Sequence, residues 1–215
     1  LYLECAMGAS GDMLAGALLE LIPDSADFCQ KLNGIGLEDV RFSAEKSIKC
    51  GITGTKFRVL VHGEEEQTMD EPDCPHTQEH ERSHDHTHPH SHKHSSLADI
   101  KKHISALKVN DKIKADIEAV YAVIAEAESR VHNTSIDNIH FHETGTADAL
   151  ADITSVCMLI DMLSPERILC SPINTGSGRV HCAHGILPVP APACARILRN
   201  IPVYSNGIQS QLCPP

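Results

Sequence analysis

Tryptophan is absent from this chain, and only four Phe and three Tyr stand among its 215 residues. A core built without aromatic bulk has to come from Leu, Ile, Val, Ala and Met, in one domain or in one domain with a small appendage. No apolar run approaches the roughly 18 residues of a membrane-spanning helix. No charged–apolar–small leader is visible, although the chain begins at Leu1 rather than Met, consistent with a few missing residues. Basic residues are the minority, 18 against 29 acidic ones, for a formal net charge of −11; that excludes the basic footprint of a nucleic-acid binder. Cysteine is plentiful, nine residues, yet no two stand in C-x-x-C spacing and the count is odd. A secreted disulfide framework is shorter and more regular, so reduced thiols and a cytoplasmic setting are expected. Cys157, inside an apolar helix, reads as a small core residue.

The hydrophobic pattern organises the chain. Residues 1–6 read as a buried strand, and Ser10 can cap a helix from about Gly11 to Leu21, with Pro23 beyond its end. Val40, Phe42 and Ala44, then Phe57, Val59 and Val61, alternate with polar residues and predict two antiparallel strands joined near Gly51 and Gly54. Ser96 with Asp99 is a capping pair for a helix through Leu97, Ile100, Ile104 and Leu107, and Asn110 or Asp111 starts a longer helix through Val131. A helix is expected from about Thr146 to Leu163, strands over 168–173 and 179–182, and a last short helix from Pro192. The prediction is an α+β fold: a mixed sheet on a β-α-β-β start, packed by several helices. Residues 1–62 and 96–205 form a single domain in this reading, and 206–215 a tail. The acidic, His-rich stretch 63–95 has almost no apolar content to offset its ordering entropy and is expected to be a disordered insertion.

Four segments can carry chemistry. The sequence HFHETGTADALAD at 140–152 sets His140, His142 and Glu143 in one cluster, then Asp148 and Asp152 at i,i+4 on one helix face. Nitrogen and oxygen donors at that density suit a borderline divalent metal such as nickel, zinc or manganese, although His and Glu can also simply cap a helix start. The turn from Gly8 through Ala9, Ser10 and Gly11 to Asp12 leads a strand into a helix. It can take a phosphate on its backbone N–H groups or serve only as a tight turn. It lacks the Lys of a Walker loop and the third Gly of a dinucleotide fingerprint. Asp12 would repel a bare phosphate, which favours a metal bridge. The tract HDHTHPHSHKH places His84, His86, His88, His90, His92 and His94 on alternate residues, suited to capturing or delivering metal, with a solvated linker as the plainer reading. Finally, His181, Cys182 and His184 follow a strand, and Arg179 beside Gly176 and Gly178 can grip a phosphate.

Three segments taken together, LYLECAMGASGDMLAGALLE at 1–20, HFHETGTADALADI at 140–153 and SPINTGSGRVHCAHGILPVPAP at 171–192, resemble the N-terminal portion of the nickel-insertion proteins of nickel-pincer cofactor biosynthesis. The resemblance covers essentially residues 1–208 apart from the His-rich insertion. It implies a nickel chelatase or cyclometallase, a lyase, acting on pyridinium bisthiocarboxylic acid mononucleotide. Such a protein forms two sulfur–nickel bonds and one carbon–nickel bond, requires CTP with Mn or Mg, and serves lactate racemase-type enzymes. Members of that family continue past the equivalent of 201–205 into a second domain, where CTP binding is expected; this chain instead reads SNGIQSQLCPP and stops. The missing part is expected as a C-terminal domain or a separately made polypeptide, and a homo-oligomer without membrane or nucleic-acid contact is expected.

In that setting His142 or Glu143 is the expected base for the ring proton. Asp12, His140, Asp148 and Asp152 are expected to hold nickel or a second divalent ion, with His184 in nickel hand-over. Gly8, Ala9, Ser10, Gly11 and Arg179 are expected at the phosphate, and the His tract in delivery. Two rival readings draw on other features: a nickel or zinc storage protein or metallochaperone, from the His tract alone, and a divalent-metal phosphohydrolase, from the carboxylates and the anion-site turn.

Overall fold

The structure is a computed structural model and describes residues 1–65, 95–142, 144–182 and 184–214. The expected disorder of the His-rich insertion therefore falls, but for its edges, outside the described residues.

Strand β1 (Tyr2–Leu3) leads through the glycine turn into α1 (Gly11–Leu19). A second helix follows, α2 (Ser25–Leu32), which the hydrophobic pattern did not reveal. Asp24 caps it by accepting the Asp27 N–H at 2.9 Å, and Phe28, Cys29 and Leu32 face inward. The opening order is thus β-α-α-β-β. Strands β2 (Val40–Lys49) and β3 (Ile52–Val61) form the expected antiparallel hairpin. Its register sets Val40 opposite Val61, Phe42 opposite Val59 and Ala44 opposite Phe57, so the alternating apolar residues share one face. Cys50 and Gly51, at φ 52° and 79°, make the two-residue turn; positive φ at both positions matches the twist of the strands.

Strand β4 (Ser95–Ser96) runs into α3 (Leu97–Ala106), where Ser96 and Asp99 form a reciprocal capping box. Helix α4 (Asp111–Val131), capped by Asn110, buries Ile113, Ile117, Tyr121 and Ile124 along one stripe. A single 3-10 turn (Ile136–Asn138) and β5 (His140–Phe141), antiparallel to β4, precede α5 (Ala147–Leu163). Thr146 caps α5, and Ser164 ends it in the left-handed region just before Pro165.

The remainder is assembled from short pieces: β6 (Leu169–Cys170), β7 (Ile173–Asn174), β8 (Gly176–Ser177), β9 (Arg179–Cys182), β10 (Gly185–Pro188), α6 (Pro192–Ile197), β11 (Val203–Tyr204) and β12 (Ser210–Gln211). Among the described residues the strands make six two-stranded pairings, parallel for β1 with β6 and β7 with β11, antiparallel for the rest. This is a mixed α+β architecture, as expected. Residues 206–215, read from the sequence as a tail, supply β12, which pairs with β8, and the buried Cys213.

One core joins α1, α2, the β2–β3 hairpin, α3, α4 and α5. Phe28, Ile104, Ile117 and Leu159 are fully enclosed in it, each contributing about 1.5–3 kcal/mol of hydrophobic stabilisation. Helix α1 lies directly on β3: a Cβ at Gly16 would stand 2.8 Å from the Thr55 carbonyl oxygen, so only glycine permits this approach. A smaller cluster of Cys194, Leu198 and Cys213 with Ala9 and Ile173 ties the end of the chain to its beginning. No helix among the described residues is long and apolar enough to cross a membrane.

Candidate functional site

The strand alternation of β5 sorts the central motif. Phe141 turns into the core, edge-on to Tyr121 with ring centroids 5.8 Å apart, and the Tyr121 hydroxyl donates to the Thr144 carbonyl at 3.1 Å. His140 and His142, on either side of Phe141, point the other way. Both line a cavity of about 240 Å³ together with His132, Thr134, Asn138 and Ile139. His132 is the C-terminal cap of α4, its backbone N–H donating to the Glu128 carbonyl at 2.9 Å. His184, exposed in the turn between β9 and β10, reaches the same place. Its ring centroid lies 4.6 Å from that of His142 and 4.8 Å from that of His132, while His132 and His142 are 6.5 Å apart.

The fold thus brings the expected residues His142 and His184 ring to ring, keeps the expected His140 on the same cavity wall, and adds His132, which the sequence reading passed over. The Glu128 carboxylate stands 3.5 Å from His132 Nε2. Among the described residues no three ligating side chains are already set to hold a metal ion, although the three rings lie close together. His181, one strand position from Cys182, stays exposed on β9 and does not join them. Glu143 lies outside the described residues, as do His84, His86, His88, His90, His92 and His94.

The carboxylates are organised by helix packing. At Gly11 the start of α1 presses onto the second turn of α5: a Cβ there would lie 2.5 Å from Asp152 Oδ2 and 2.6 Å from Asp152 Cβ. Asp12, exposed in the first turn of α1, accepts from the Ser10 hydroxyl, so Ser10 does not cap a backbone N–H with its side chain. Asp148, one turn before Asp152, is half-buried on α5. The anion-binding expectation narrows, because the Gly8 N–H already donates to the Cys5 carbonyl at 3.0 Å and the Ala9 N–H to the Leu212 carbonyl at 2.9 Å. The backbone of Ser10 and Gly11, at the positive end of α1, remains for that task. Arg179 is exposed at the start of β9. The neighbouring glycines have a packing reason of their own. Gly176 approaches the Ser210 carbonyl at φ 77°, and a Cβ at Gly178 would meet Gln209 Oε1 at 2.7 Å.

The thiols contribute less than their number suggests. Burial, with Cys170 Sγ 3.5 Å away, pushes the Cys5 thiol up to about 11, and burial beside Asp116 does the same to Cys157. Both are protonated at neutral pH and are poor metal ligands in that state.

Comparison with known proteins identifies a family for the chain. The family model described as nickel insertion protein matches residues 1–215. A pyridinium-3,5-bisthiocarboxylic acid mononucleotide nickel insertion protein of Clostridium acetobutylicum is 42% identical over 224 residues, which cover 100% of this chain and 53% of the relative. The proteins of that name from Clostridium kluyveri and Acetivibrio thermocellus are 37% and 36% identical over 220 and 217 residues, again 100% of this chain and 50% and 49% of theirs. No solved structure matches. The chain therefore spans about half the length of the curated relatives it matches. With its whole length matched by the family model and by relatives of such identity, the chain belongs to the nickel insertion protein family.

Proposed function

We propose that this chain supplies the nickel-handling part of an insertion reaction that places Ni²⁺ in pyridinium-3,5-bisthiocarboxylic acid mononucleotide. The observation that carries this reading is the histidine-lined cavity, with His132, His140 and His142 on its wall and His184 beside it, in a chain whose relatives bear that activity in their names. Nickel suits imidazole, and the two soft sulfurs of the precursor bind it readily. The demanding step replaces the ring C–H bond by a carbon–nickel bond and releases a proton. That proton needs a base beside the ring, and His142 or Glu143 fills the role.

The mononucleotide phosphate goes to the start of α1 at Ser10 and Gly11, with Arg179 as a further contact. Asp12, Asp148 and Asp152 are hard oxygen donors, suited to a second divalent ion such as Mn or Mg as well as to nickel. The contact of Gly11 with Asp152 supports this grouping, because it holds the first turn of α1 against the carboxylate-bearing face of α5. CTP, with Mn or Mg, belongs in this proposal to the C-terminal half that the relatives have beyond the length of this chain, as a domain or a separate polypeptide. The acceptor of the finished cofactor is an enzyme of the lactate racemase type.

The test is to incubate the chain, alone and with a C-terminal polypeptide of the family, with nickel, CTP, a divalent ion and the precursor, and to seek the nickelated product by mass. Product in the combined reaction supports the proposal; none there overturns it. Full insertion after both His142→Ala and Glu143→Ala would refute the base assignment. The storage reading, favoured by the tract at 84–94, separates cleanly. Deleting residues 76–94 collapses the nickel capacity of a store but leaves insertion intact at saturating nickel.

A further inference from the structure

We propose that His132, His142 and His184 form the docking site at which nickel first becomes chelated, with Glu128 orienting His132. The inference rests on the nickel reading above and deepens it by assigning ligands. A metal–imidazole bond of about 2.0–2.1 Å puts each ring centroid about 3.2 Å from the metal, so ligands at tetrahedral or octahedral angles have centroids about 4.5–5.2 Å apart. Two of the three separations, 4.6 and 4.8 Å, already fall there. The third, His132 to His142 at 6.5 Å, closes if the His132 ring swings inward by about an ångström. That movement displaces no packed core, since His132 sits at a helix end with its side chain 36% exposed.

Three further features favour a cation at this place. His132 caps the negative end of the 21-residue helix α4, whose dipole stabilises positive charge. The Glu128 carboxylate, only 17% exposed, engages His132 Nε2 at 3.5 Å. That contact turns Nε2 toward the carboxylate and leaves Nδ1 for the metal, as in carboxylate-oriented histidine ligands. The adjoining cavity of about 240 Å³ has room for the waters that complete nickel's coordination. If His142 is a ligand, its lone pair is committed, and the proton of the insertion step falls to Glu143.

The ligands come from the end of α4, the end of β5 and the β9–β10 turn. Nickel bound here crosslinks the C-terminal segments to the helical core, so metal loading is expected to order the β9–β10 turn against α4.

The experiment is a titration with Ni²⁺ alone, using the full chain in which the eight histidines of 76–94 are changed to Gln so that the tract does not compete. One nickel per chain is expected, with the ring protons of the three histidines broadened first in NMR spectra. His132→Ala and His184→Ala should each weaken binding by about 100-fold, and Glu128→Gln by about 10-fold. Both histidines are at the surface, and a metal-free thermal melt matching the parent confirms folding. His132→Asn and His184→Asn provide a second pair of variants should the alanines melt early. Nickel affinity within twofold of the parent in folded His132 and His184 variants would overturn the site. Product formation by the unmutated chain with its C-terminal partner is scored separately. Product without loss of binding in the variants sinks this inference alone, whereas binding loss in the variants with no product from the parent sinks the insertion reading and leaves the site standing.

Discussion

Replacing Gly11 by Ala tests the packing that aligns the carboxylate-bearing helices. The new methyl carbon would stand 2.5 Å from Asp152 Oδ2, 2.6 Å from its Cβ and 2.8 Å from its Cγ. Carbon atoms in comfortable contact are about 3.5–4.0 Å apart, so the start of α1 or the second turn of α5 must retreat by about 1 Å. Overpacking of this kind costs about 1–3 kcal/mol. The better helix propensity of Ala returns part of that, and a net loss of about 1–2 kcal/mol remains. In a chain of this size that lowers the melting temperature by about 2–8 °C, which urea and thermal unfolding both resolve.

The cause is separable by double-mutant cycles. Asp152→Ala keeps the Cβ at 2.6 Å and should leave the penalty of Gly11→Ala in place, whereas Asp152→Gly removes that atom and should abolish it. A neutral or stabilising Gly11→Ala in the parent background would refute the close approach. Rescue by Asp152→Ala would show that the carboxylate, not the crowding at Cβ, carries the effect.

Tyr121→Phe removes the buried donor to the Thr144 carbonyl and should cost about 1–2 kcal/mol by urea midpoint, with faster hydrogen exchange at 144–146. Asp99 provides a pH test: hydrogen bonds from the Ser96 hydroxyl and backbone N–H hold its carboxyl below the ordinary value of 3.8. Its folded pKa being the lower one, the capping stabilisation is fully present above the unfolded value and fades as pH falls through the folded one. Unfolding series from neutral pH to about pH 3 should therefore show a shallower acid limb in Asp99→Asn than in the parent. Thiol labelling followed by mass spectrometry at mildly alkaline pH should modify the exposed Cys50 in the native chain. Cys157, buried and pushed up to about 11, should react only after denaturation, and early reaction there would contradict its place in the core.

What the sequence determined by itself is the part of the fold written in local chemistry. Ser96 with Asp99, Asn110 and Thr146 announce their helices because a capping side chain bonds a backbone N–H three residues on. The alternation of Val40, Phe42 and Ala44 against Phe57, Val59 and Val61 reads as a hairpin because a one-residue slip would expose the whole apolar face. Helix α2 escaped notice because Pro23 reads as a stop and its eight residues hold little more than one apolar repeat, Phe28, Cys29 and Leu32. Strands β1, β6 and the start of β7 fall in the stretches 1–6 and 168–173 that read as strands, whereas the two-residue β11 and β12 have no periodicity to read and only long-range partners make them strands. The place of 206–215 was hidden likewise, since Ala9 and Gly176 meet Leu212 and Ser210 across more than thirty residues of chain.

The candidate site divides in the same way. The 140–152 motif was legible because its donors are close in sequence, and Gly11 was legible as a glycine in a turn. That Gly11 lies against Asp152, and that His132 stands with His142 and His184, was decided only by the tertiary structure. A lone histidine at a helix end has no spacing to betray it. A metal site needs nitrogens converging in space, and here only the packing of α4, β5 and the β9–β10 turn brings the three rings together.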